Sequence, residues 1–294
     1  MAKHVLVGID GSARSEAAAH WAAGEAVRRG APLRLLHAWP WLGPRDTEDT
    51  GDPRPRDLRP AALEMLAGIT ERILREHPAL SVDTAVIGDD PVDALVKAAE
   101  RQELVVLGSR GLGGFAGLLA GSVSLAVAAR VGTPLVLVRA DRQASPQDDP
   151  TDPGEIVVGL DPRQPPGAVL AFAFAEAARR GARLRAVHGW DPVPLWAATS
   201  WIPPRSEIAA RETALRRRLS ETLTAARAEY PDVPVVSEIR RGGAAHAVVA
   251  AGERAELVVV GRHDRHHSLD VRLGPVAHAV LHHCATPVAV VPHA

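Results

Sequence analysis

The stretch ELVVLGSRGLGGFAGLLAGSVS, residues 103–124, contains the features that decide the fold. It begins with a continuous apolar run, Leu104–Leu107, which is typical of a strand buried on both faces of a sheet. The run ends at Gly108 in the sequence Gly-Ser-Arg-Gly, and a second Gly-Ser pair, Gly121–Ser122, follows further along. The small residues from Val123 to Ala129 then favour a helix. The stretch therefore predicts a buried strand, a glycine-rich loop and the start of a helix.

A strand, a glycine loop and a helix N-terminus in this order form a place where an anion can bind. The first N–H groups of a helix have no intrahelical acceptor, and the helix dipole adds partial positive charge at the same end. Glycine lets the backbone approach phosphate oxygens closely. A single glycine turn often only joins a strand to a helix, so the loop alone does not establish a ligand site. We take a nucleotide phosphate site as the working hypothesis.

The sequence contains an internal repeat that covers almost its whole length. Four segments recur after an offset of 151 to 153 residues: His4–Asp10 at Glu155–Asp161, Arg34–Trp39 at Arg185–Trp190, Glu103–Arg110 at Glu256–His263, and Thr133–Val138 at Thr286–Val291. Residues 141–154 between the halves are polar, contain proline and show no periodicity, as expected of a linker. We therefore predict two tandem domains, residues 1–140 and residues 155–294.

The first half alternates between strand and helix patterns. We predict strands at Val5–Ile9, Leu33–Ala38, Val82–Ile87, Leu104–Leu107 and Leu135–Val138. Helices are predicted from Ser12 or Ser15 to Arg29, from Leu58 to Glu76, from Pro91 to Arg101 and from Val123 to Arg130. This alternation indicates an α/β fold, in which a doubly wound and mostly parallel sheet has helices on both faces.

In such sheets ligands bind beyond the carboxyl ends of the strands, where the strand order reverses. Asp10 directly follows the first predicted strand, and the glycine loop directly follows the fourth. If these two strands are neighbours, the carboxylate and the loop face one crevice. The two features together indicate a ligand site more strongly than either does alone.

The glycine spacing resembles that of one known family. Gly108, Gly111, Gly121 and Ser122 follow the pattern Gly-two residues-Gly-nine residues-Gly-Ser/Thr of the universal stress protein A family, and they match neither a Walker A loop nor a GxGxxG fingerprint. The resemblance covers nearly the whole chain, including the early Val-Gly-Ile-Asp and the closing Thr-Pro-Leu-Val-Leu-Val. It implies two tandem doubly wound parallel five-stranded sheets, packed as a pseudo-dimer, as in the two-domain members of that family.

The resemblance also implies an ATP site in the first half. Its residues would be Gly8, Ile9, Asp10, Ala38, Gly108, Arg110, Gly111, Gly121, Ser122, Val123 and Ser124. Asp10 would hydrogen-bond the adenosine, while Gly8, Ile9 and Ala38 would line the base pocket. The glycine loop with Arg110 would wrap the ribose and phosphates, and the helix start would complete the cradle. Mg²⁺ would accompany ATP and neutralise the phosphates.

The second half departs from this pattern at the positions that would contact phosphate. Asp264 stands in the place of Gly111, and Pro275 stands in the place of Ser122. A carboxylate repels phosphates, and proline lacks both the N–H and the hydroxyl. Three residues of the pattern are retained: Asp161, Gly261 and Gly274. We expect the second half to bind ATP weakly or not at all and to have a structural role.

Composition argues against several other functions. The net charge is −1, so no global field would attract nucleic acid or an anionic membrane. A single cysteine excludes an internal disulfide framework and favours a reducing compartment. The first residues show no signal-peptide pattern, and no apolar run approaches the roughly 20 residues that cross a bilayer. We expect a cytoplasmic protein that binds neither nucleic acid nor membrane.

Histidine, cysteine and tryptophan residues outside the motif have competing interpretations. Two groups could suggest a metal site: His263, His266 and His267 with Asp264, and His282 and His283 with Cys284. Neither group has the spacing of known zinc motifs, so we expect surface histidines and no metal site. We expect His37 and His188 to be buried and hydrogen-bonded, and Cys284 to lie in the core. The tryptophans after the second strand of each half either cover the core or roof a pocket: Trp39, Trp41, Trp190, Trp196 and Trp201.

These features predict a nucleotide-binding protein of stress response or signalling rather than a conventional enzyme. The motif supplies no general base, so we assign no catalytic residue and expect at most slow ATP hydrolysis. Two alternatives are open: an ATP-dependent phosphoryl- or adenylyl-transfer enzyme of a related class, and a ligand-free scaffold that dimerises through Leu135–Val138 and Val288–Val291. The expected partners are an adenine nucleotide, the other half of the chain, a second copy in a homodimer, and a protein partner that the sequence does not identify.

Overall fold

The computed structural model of the chain describes residues 3–40, 58–109, 121–139, 154–164, 166–191, 203–263 and 273–293. The chain divides into two compact units, Met1–Ala140 and Asp141–Ala294. Each unit is an α/β domain with five parallel strands, as the sequence predicts. No helix of the described ranges is long and apolar enough to cross a membrane.

The first unit contains the predicted alternation of strands and helices. Its elements are β1 (Val5–Gly8), α1 (Ala13–Arg29), β2 (Leu33–Ala38), α2 (Arg59–Glu76), β3 (Val82–Ile87), α3 (Pro91–Ala99), β4 (Leu104–Gly108), α4 (Ser122–Arg130) and β5 (Leu135–Val138). The strand order is β3-β2-β1-β4-β5, and neighbouring strands are parallel. Helix α1 packs against α2, and α3 packs against α4. The chain moves outward from β1 to β3 and then from β4 to β5 on the other side, and because parallel crossovers are almost always right-handed, the two helix pairs lie on opposite faces of a doubly wound sheet.

Helix α1 begins and ends at the residues that its sequence signals favour. Ser12 is the N-cap, and its hydroxyl accepts the N–H of Ser15 at 3.1 Å, so Ser12 rather than Ser15 caps the helix. Gly30 follows the last turn in the left-handed conformation with φ 61°, which glycine adopts at little cost. These two caps fix the position of α1 between β1 and β2.

Five predicted boundaries are wrong by one or two residues. Strand β4 extends to Gly108, helix α2 begins at Arg59 rather than Leu58, and helix α4 begins at Ser122 rather than Val123. Strand β1 ends at Gly8 and does not include Ile9. Helix α3 ends at Ala99 rather than Arg101. The chain turns there toward β4, and the N–H of Gln102 donates to the carbonyl of Ala99 at 3.0 Å. Shifts of this size are usual at element ends.

The core of the first unit is aliphatic. Val5, Leu6 and Val7 of β1 are fully buried. The face of α1 toward the sheet consists mainly of alanines: Ala18, Ala19, Ala22, Ala23 and Ala26. Because a methyl group is small, the helix backbone approaches β1 and β4 closely. This close packing brings the first turn of α1 next to the end of β4, where the glycine loop begins.

The second unit repeats this architecture. Its elements are β6 (Glu155–Gly159), α5 (Gly167–Arg180), β7 (Arg183–Trp190), α6 (Arg205–Glu229), β8 (Val235–Arg241), α7 (Ala244–Gly252), β9 (Leu257–His263), α8 (Pro275–His283) and β10 (Val288–His293). The strand order is β10-β9-β6-β7-β8, again parallel. The β9–β10 ladder continues to the pair His263 and His293, whereas the β4–β5 ladder stops at Gly108 and Val138.

Candidate functional site

The carboxyl ends of β1 and β4 lie side by side in the first unit. The two strands pair in parallel, with Val7 opposite Val106. Strand order reverses between them, since β2 and β3 lie beyond β1 on one side and β5 lies beyond β4 on the other. Asp10 follows β1 and Ser109 follows β4. The expectation that these two strands are neighbours is therefore confirmed, and both residues face the edge where doubly wound sheets bind ligands.

Asp10 holds the turn between β1 and α1 with one of its carboxylate oxygens. Its Oδ1 accepts the backbone N–H of Ser12 at 2.9 Å and the Ser12 hydroxyl at 2.6 Å. The backbone N–H of Asp10 donates to the Ser15 hydroxyl at 3.3 Å. The carboxylate is exposed, and within the described part of the chain its Oδ2 has no hydrogen-bond partner. One oxygen thus orders the turn and the other remains open to solvent.

His37 fixes the backbone just before Asp10. Its Nδ1 lies 2.8 Å from the carbonyl oxygen of Ile9, and because a carbonyl only accepts, Nδ1 carries the proton. The N–H of Ile9 donates to the carbonyl of Leu36 at 2.8 Å. Ile9 and Ala38 are both buried, so the ends of β1 and β2 form an apolar wall beside Asp10.

The end of β4 lies directly against the first turn of α1. A Cβ on Gly108 would lie 3.0 Å from the carbonyl oxygen of Arg14 and 3.2 Å from the backbone nitrogen of Ser15. Backbone atoms cannot yield as a flexible side chain can. Gly108 is therefore required by close packing between β4 and α1, whatever binds nearby.

Helix α4 is attached to the end of β4 by two hydrogen bonds. The Ser124 hydroxyl donates to the carbonyl of Gly108 at 2.7 Å, and the N–H of Gly121 donates to the carbonyl of Ser109 at 2.5 Å. The first intrahelical bond runs from the N–H of Leu125 to the carbonyl of Gly121. The N–H groups of the first turn therefore have no intrahelical acceptor, and Gly121 has no side chain to cap them.

The exposed first turn of α4 can accept an anion at the end of β4. Ser122 and Val123 are exposed, and no acidic residue lies in that turn. Free N–H groups, the helix dipole and the Ser122 hydroxyl all favour negative charge there. Nine predicted site residues thus lie at the ends of β1, β2 and β4 and the start of α4: Gly8, Ile9, Asp10, Ala38, Gly108, Gly121, Ser122, Val123 and Ser124. The other two, Arg110 and Gly111, lie outside the described residues.

Asp161 occupies the position of Asp10 in the second unit, but both of its oxygens are paired. The Arg163 Nη2 donates to Oδ2 at 2.7 Å, and Nε lies 2.9 Å from Oδ1 and 3.2 Å from Oδ2. The backbone N–H of Arg163 also donates to Oδ1 at 3.0 Å. The hydrogen bonds and charge of Arg163 hold the pKa of the Asp161 carboxyl below its usual value.

The start of α8 lacks the features that make the start of α4 favourable for anions. Pro275 is its first residue and has no N–H. Ala277 stands at the repeat position of Ser124, so the hydroxyl that joins α4 to β4 has no counterpart. A Cβ on Gly261 would lie 2.8 Å from the Nε2 of His293, so this ring covers the end of β9. Asp264, the predicted repulsive residue, lies outside the described residues.

A cavity of about 600 Å³ lies at the carboxyl end of β7 in the second unit. The residues around it include Arg163, His188, Trp190, Glu207 and Arg211. Trp190 thus lines a pocket, whereas Trp39 is 46% exposed and does not cover a core. The remaining three tryptophans of the group lie outside the described residues: Trp41, Trp196 and Trp201.

The structure describes most of the other histidines singled out in the sequence, and Cys284. His188 is buried and its Nδ1 donates to the carbonyl of Leu160 at 2.9 Å, while the equivalent His37 is only half-buried. Cys284 is buried, His263 and His283 are exposed, and His282 is half-buried rather than exposed. In the ranges that the structure covers, no three His, Cys, Asp or Glu side chains are grouped to hold a metal ion. His266 and His267 lie outside those ranges.

Comparison with known proteins places the chain in one family. The model of the universal stress protein family matches residues 1–139 and again residues 154–292. A universal stress protein of Mycobacterium tuberculosis is 34% identical over 298 residues, which cover 97% of this chain and 96% of that protein. The crystal structure of a universal stress protein from Archaeoglobus fulgidus covers 99% of this chain and 98% of its own, with a TM-score of 0.66 and 18% identity, a likeness of fold. A universal stress protein solved in complex with cAMP is 29% identical over 47% of this chain and 96% of its own, with a TM-score of 0.36.

Proposed function

This chain belongs to the universal stress protein family, and we propose that its first unit binds ATP at the carboxyl ends of β1 and β4 and acts in stress response or signalling. One observation carries the proposal. Parallel pairing of β1 with β4 brings the half-open carboxylate of Asp10 and the uncapped start of α4 to the same edge of the sheet.

The two ends of this crevice suit the two ends of a nucleotide. Asp10 offers Oδ2 as an acceptor for the hydroxyls of the ribose, and buried Ile9 and Ala38 offer an apolar surface for the base. The first turn of α4 offers N–H donors and the Ser122 hydroxyl to phosphate oxygens. Arg110 and Gly111 would complete the phosphate cradle.

Mg²⁺ would accompany ATP and would be held mainly through its phosphate oxygens. The described side chains offer no cluster of three carboxylates or histidines to hold the ion without the nucleotide. This arrangement agrees with the reluctance of Mg²⁺ to lose its water shell to an all-protein site. Among the described residues, Ser122 at the start of α4 would offer its hydroxyl oxygen to the Mg²⁺ ion.

We expect binding rather than efficient turnover. The first turn of α4 carries no acidic residue that could act as a general base on water, and Asp10 is assigned to the ribose, so we expect hydrolysis to be slow at most. A phosphoryl- or adenylyl-transfer enzyme would need an acceptor pocket and a catalytic Lys or Asp beside the phosphates. The second unit, with Pro275 and a paired Asp161, would have a structural role in a cytoplasmic protein.

Mass spectrometry of small molecules released from the purified full-length chain tests the proposal. Adenine nucleotide should be released from the wild type and lost in Gly121→Val, because the valine side chain would project into the place of the phosphates. Gly274→Val is the matched control, since a Cβ at Gly274 meets nothing within 4 Å. Absence of nucleotide from the wild type, with no calorimetric binding of added ATP, would refute the proposal.

A further inference from the structure

The turn after the first strand of each unit contains the same hydrogen bond between an aspartate side chain and the backbone two residues later. In the first unit, Oδ1 of Asp10 accepts the N–H of Ser12 at 2.9 Å. In the second unit, Oδ1 of Asp161 accepts the N–H of Arg163 at 3.0 Å. The aspartate and the residue two positions later therefore keep the same hydrogen bond in both units, although the residue between them is Gly11 with φ 84° in the first unit and Pro162 in the second.

That side chain decides how much of the carboxylate is occupied. The Ser12 hydroxyl donates only to Oδ1 of Asp10, which already accepts the backbone N–H of Ser12, and leaves Oδ2 open. The Arg163 guanidinium spans both oxygens, with Nη2 at 2.7 Å from Oδ2 and Nε at 2.9 Å from Oδ1. Such two-point contacts between arginine and carboxylate are geometrically specific.

We propose that the residue two positions after the strand-end aspartate is a specificity determinant: Ser12 leaves Asp10 free for a nucleoside, and the Arg163 guanidinium takes the nucleoside's place on Asp161. This inference rests on the proposed role of Asp10 in binding the ribose hydroxyls. It gives the weak or absent binding that we expect of the second unit a cause separate from the change at Pro275.

The Arg163 side chain hinders nucleoside binding to Asp161 in two ways: its charge pairs with the carboxylate, and its volume fills the space beside it. A sugar hydroxyl that donates to Asp161 must first displace the guanidinium, which also lines the 600 Å³ cavity at the end of β7. The side chains of Arg163 and Asp161 are 60% and 42% exposed, and exposed ion pairs are individually weak. The block should therefore reduce affinity by about twofold to fivefold, not abolish it outright.

Transfer of the arginine to the first unit gives the sharper test. Ser12→Arg should pair with Asp10 and weaken ATP binding by about twofold to fivefold relative to Ser12→Ala, measured by calorimetry on the full chain. Ser12→Ala is the matched control, because it also removes the helix cap but leaves Oδ2 open. Melting temperatures of both variants separate loss of fold from loss of binding. Equal ATP affinity in the two variants would overturn the inference.

The converse change tests the second unit. In a background of Asp10→Ala, which disables the first site, Arg163→Ser should raise the affinity for adenosine by about twofold to fivefold. Adenosine is the probe because it needs no phosphate cradle. No gain in adenosine affinity would overturn the inference. If the wild type binds no ATP, the proposed function fails. If the wild type binds ATP but neither Ser12→Arg nor Arg163→Ser changes the measured affinity, only this inference fails.

Discussion

Ser124 donates its hydroxyl to the carbonyl oxygen of Gly108 across 2.7 Å, from the first turn of α4 to the last residue of β4. Both residues are buried, so the bond is shielded from water and holds the helix start against the strand end. The second unit has Ala277 at this position and cannot make the bond. The joint between strand and helix is therefore a feature of the unit to which we assign the nucleotide.

Ser124→Ala should both destabilise the first unit and weaken ATP binding. Removal of a buried donor costs about 1–3 kcal/mol, and the start of α4 loses its attachment to β4. Urea unfolding and ATP calorimetry measure the two effects. Thr222→Ala is the control, since the Thr222 hydroxyl is exposed and bonds only within its own helix. Unchanged ATP affinity in Ser124→Ala would show that the joint does not position the site.

Gly108→Ala should lower the free energy of unfolding by about 1–3 kcal/mol, because the new methyl group would press on the backbone of Arg14. Gly132→Ala is the matched control, since a Cβ there meets nothing within 4 Å. Thermal or urea unfolding of the two variants gives the comparison. Equal stability would mean that α1 can move away from β4 at no cost.

Glu25→Ala should be the most destabilising of the changes considered. Glu25 is fully buried and lies 2.7 Å from Nε of Arg29, whose side chain is 3% exposed and also reaches Glu103 at 2.8 Å. Removal of one partner from a buried ion pair costs about 3–5 kcal/mol. Glu76→Ala, which breaks an exposed contact with His20, should cost less than about 1 kcal/mol by the same unfolding measurement.

Arg163→Ser should raise the pKa of Asp161 toward its ordinary value, because the guanidinium is the main cause of the lowered pKa. A carboxyl with a lowered native pKa stabilises the fold above its unfolded pKa of about 3.9, and that stabilisation is lost as pH falls through the native pKa. The stability gap between wild type and variant should thus be present at pH 7 and close below about pH 4. Carboxyl NMR titration would check the shift; an unchanged pKa would contradict the ion pair.

Local patterns predicted the fold well because its signals are local. β2, β3 and β5 begin and end at the predicted residues. Ser12 and Gly30 act through their own backbone neighbours, so cap chemistry is readable without tertiary contacts. The end of α3 at Ala99 was missed because the turn into β4 depends on where the sheet lies.

The missed features depend on contacts far apart in the chain. The ion pair between Arg29 and Glu103 joins α1 to the residue before β4, and no local pattern indicates it. Glu25 and Arg29, by contrast, have the i,i+4 spacing of a pair on one helix. Arg163 and Ala277 could have been found, because the repeat aligns them with Ser12 and Ser124. The repeat could not predict that the Arg163 guanidinium would contact both carboxylate oxygens of Asp161.

The number of ATP molecules bound per chain tests the central claim most directly. Calorimetry of the full-length chain with ATP and Mg²⁺ should give one site, lost in Gly121→Val and kept in Gly274→Val. No site in the wild type, or a site lost in Gly274→Val and kept in Gly121→Val, would contradict the claim that ATP binds at the ends of β1 and β4.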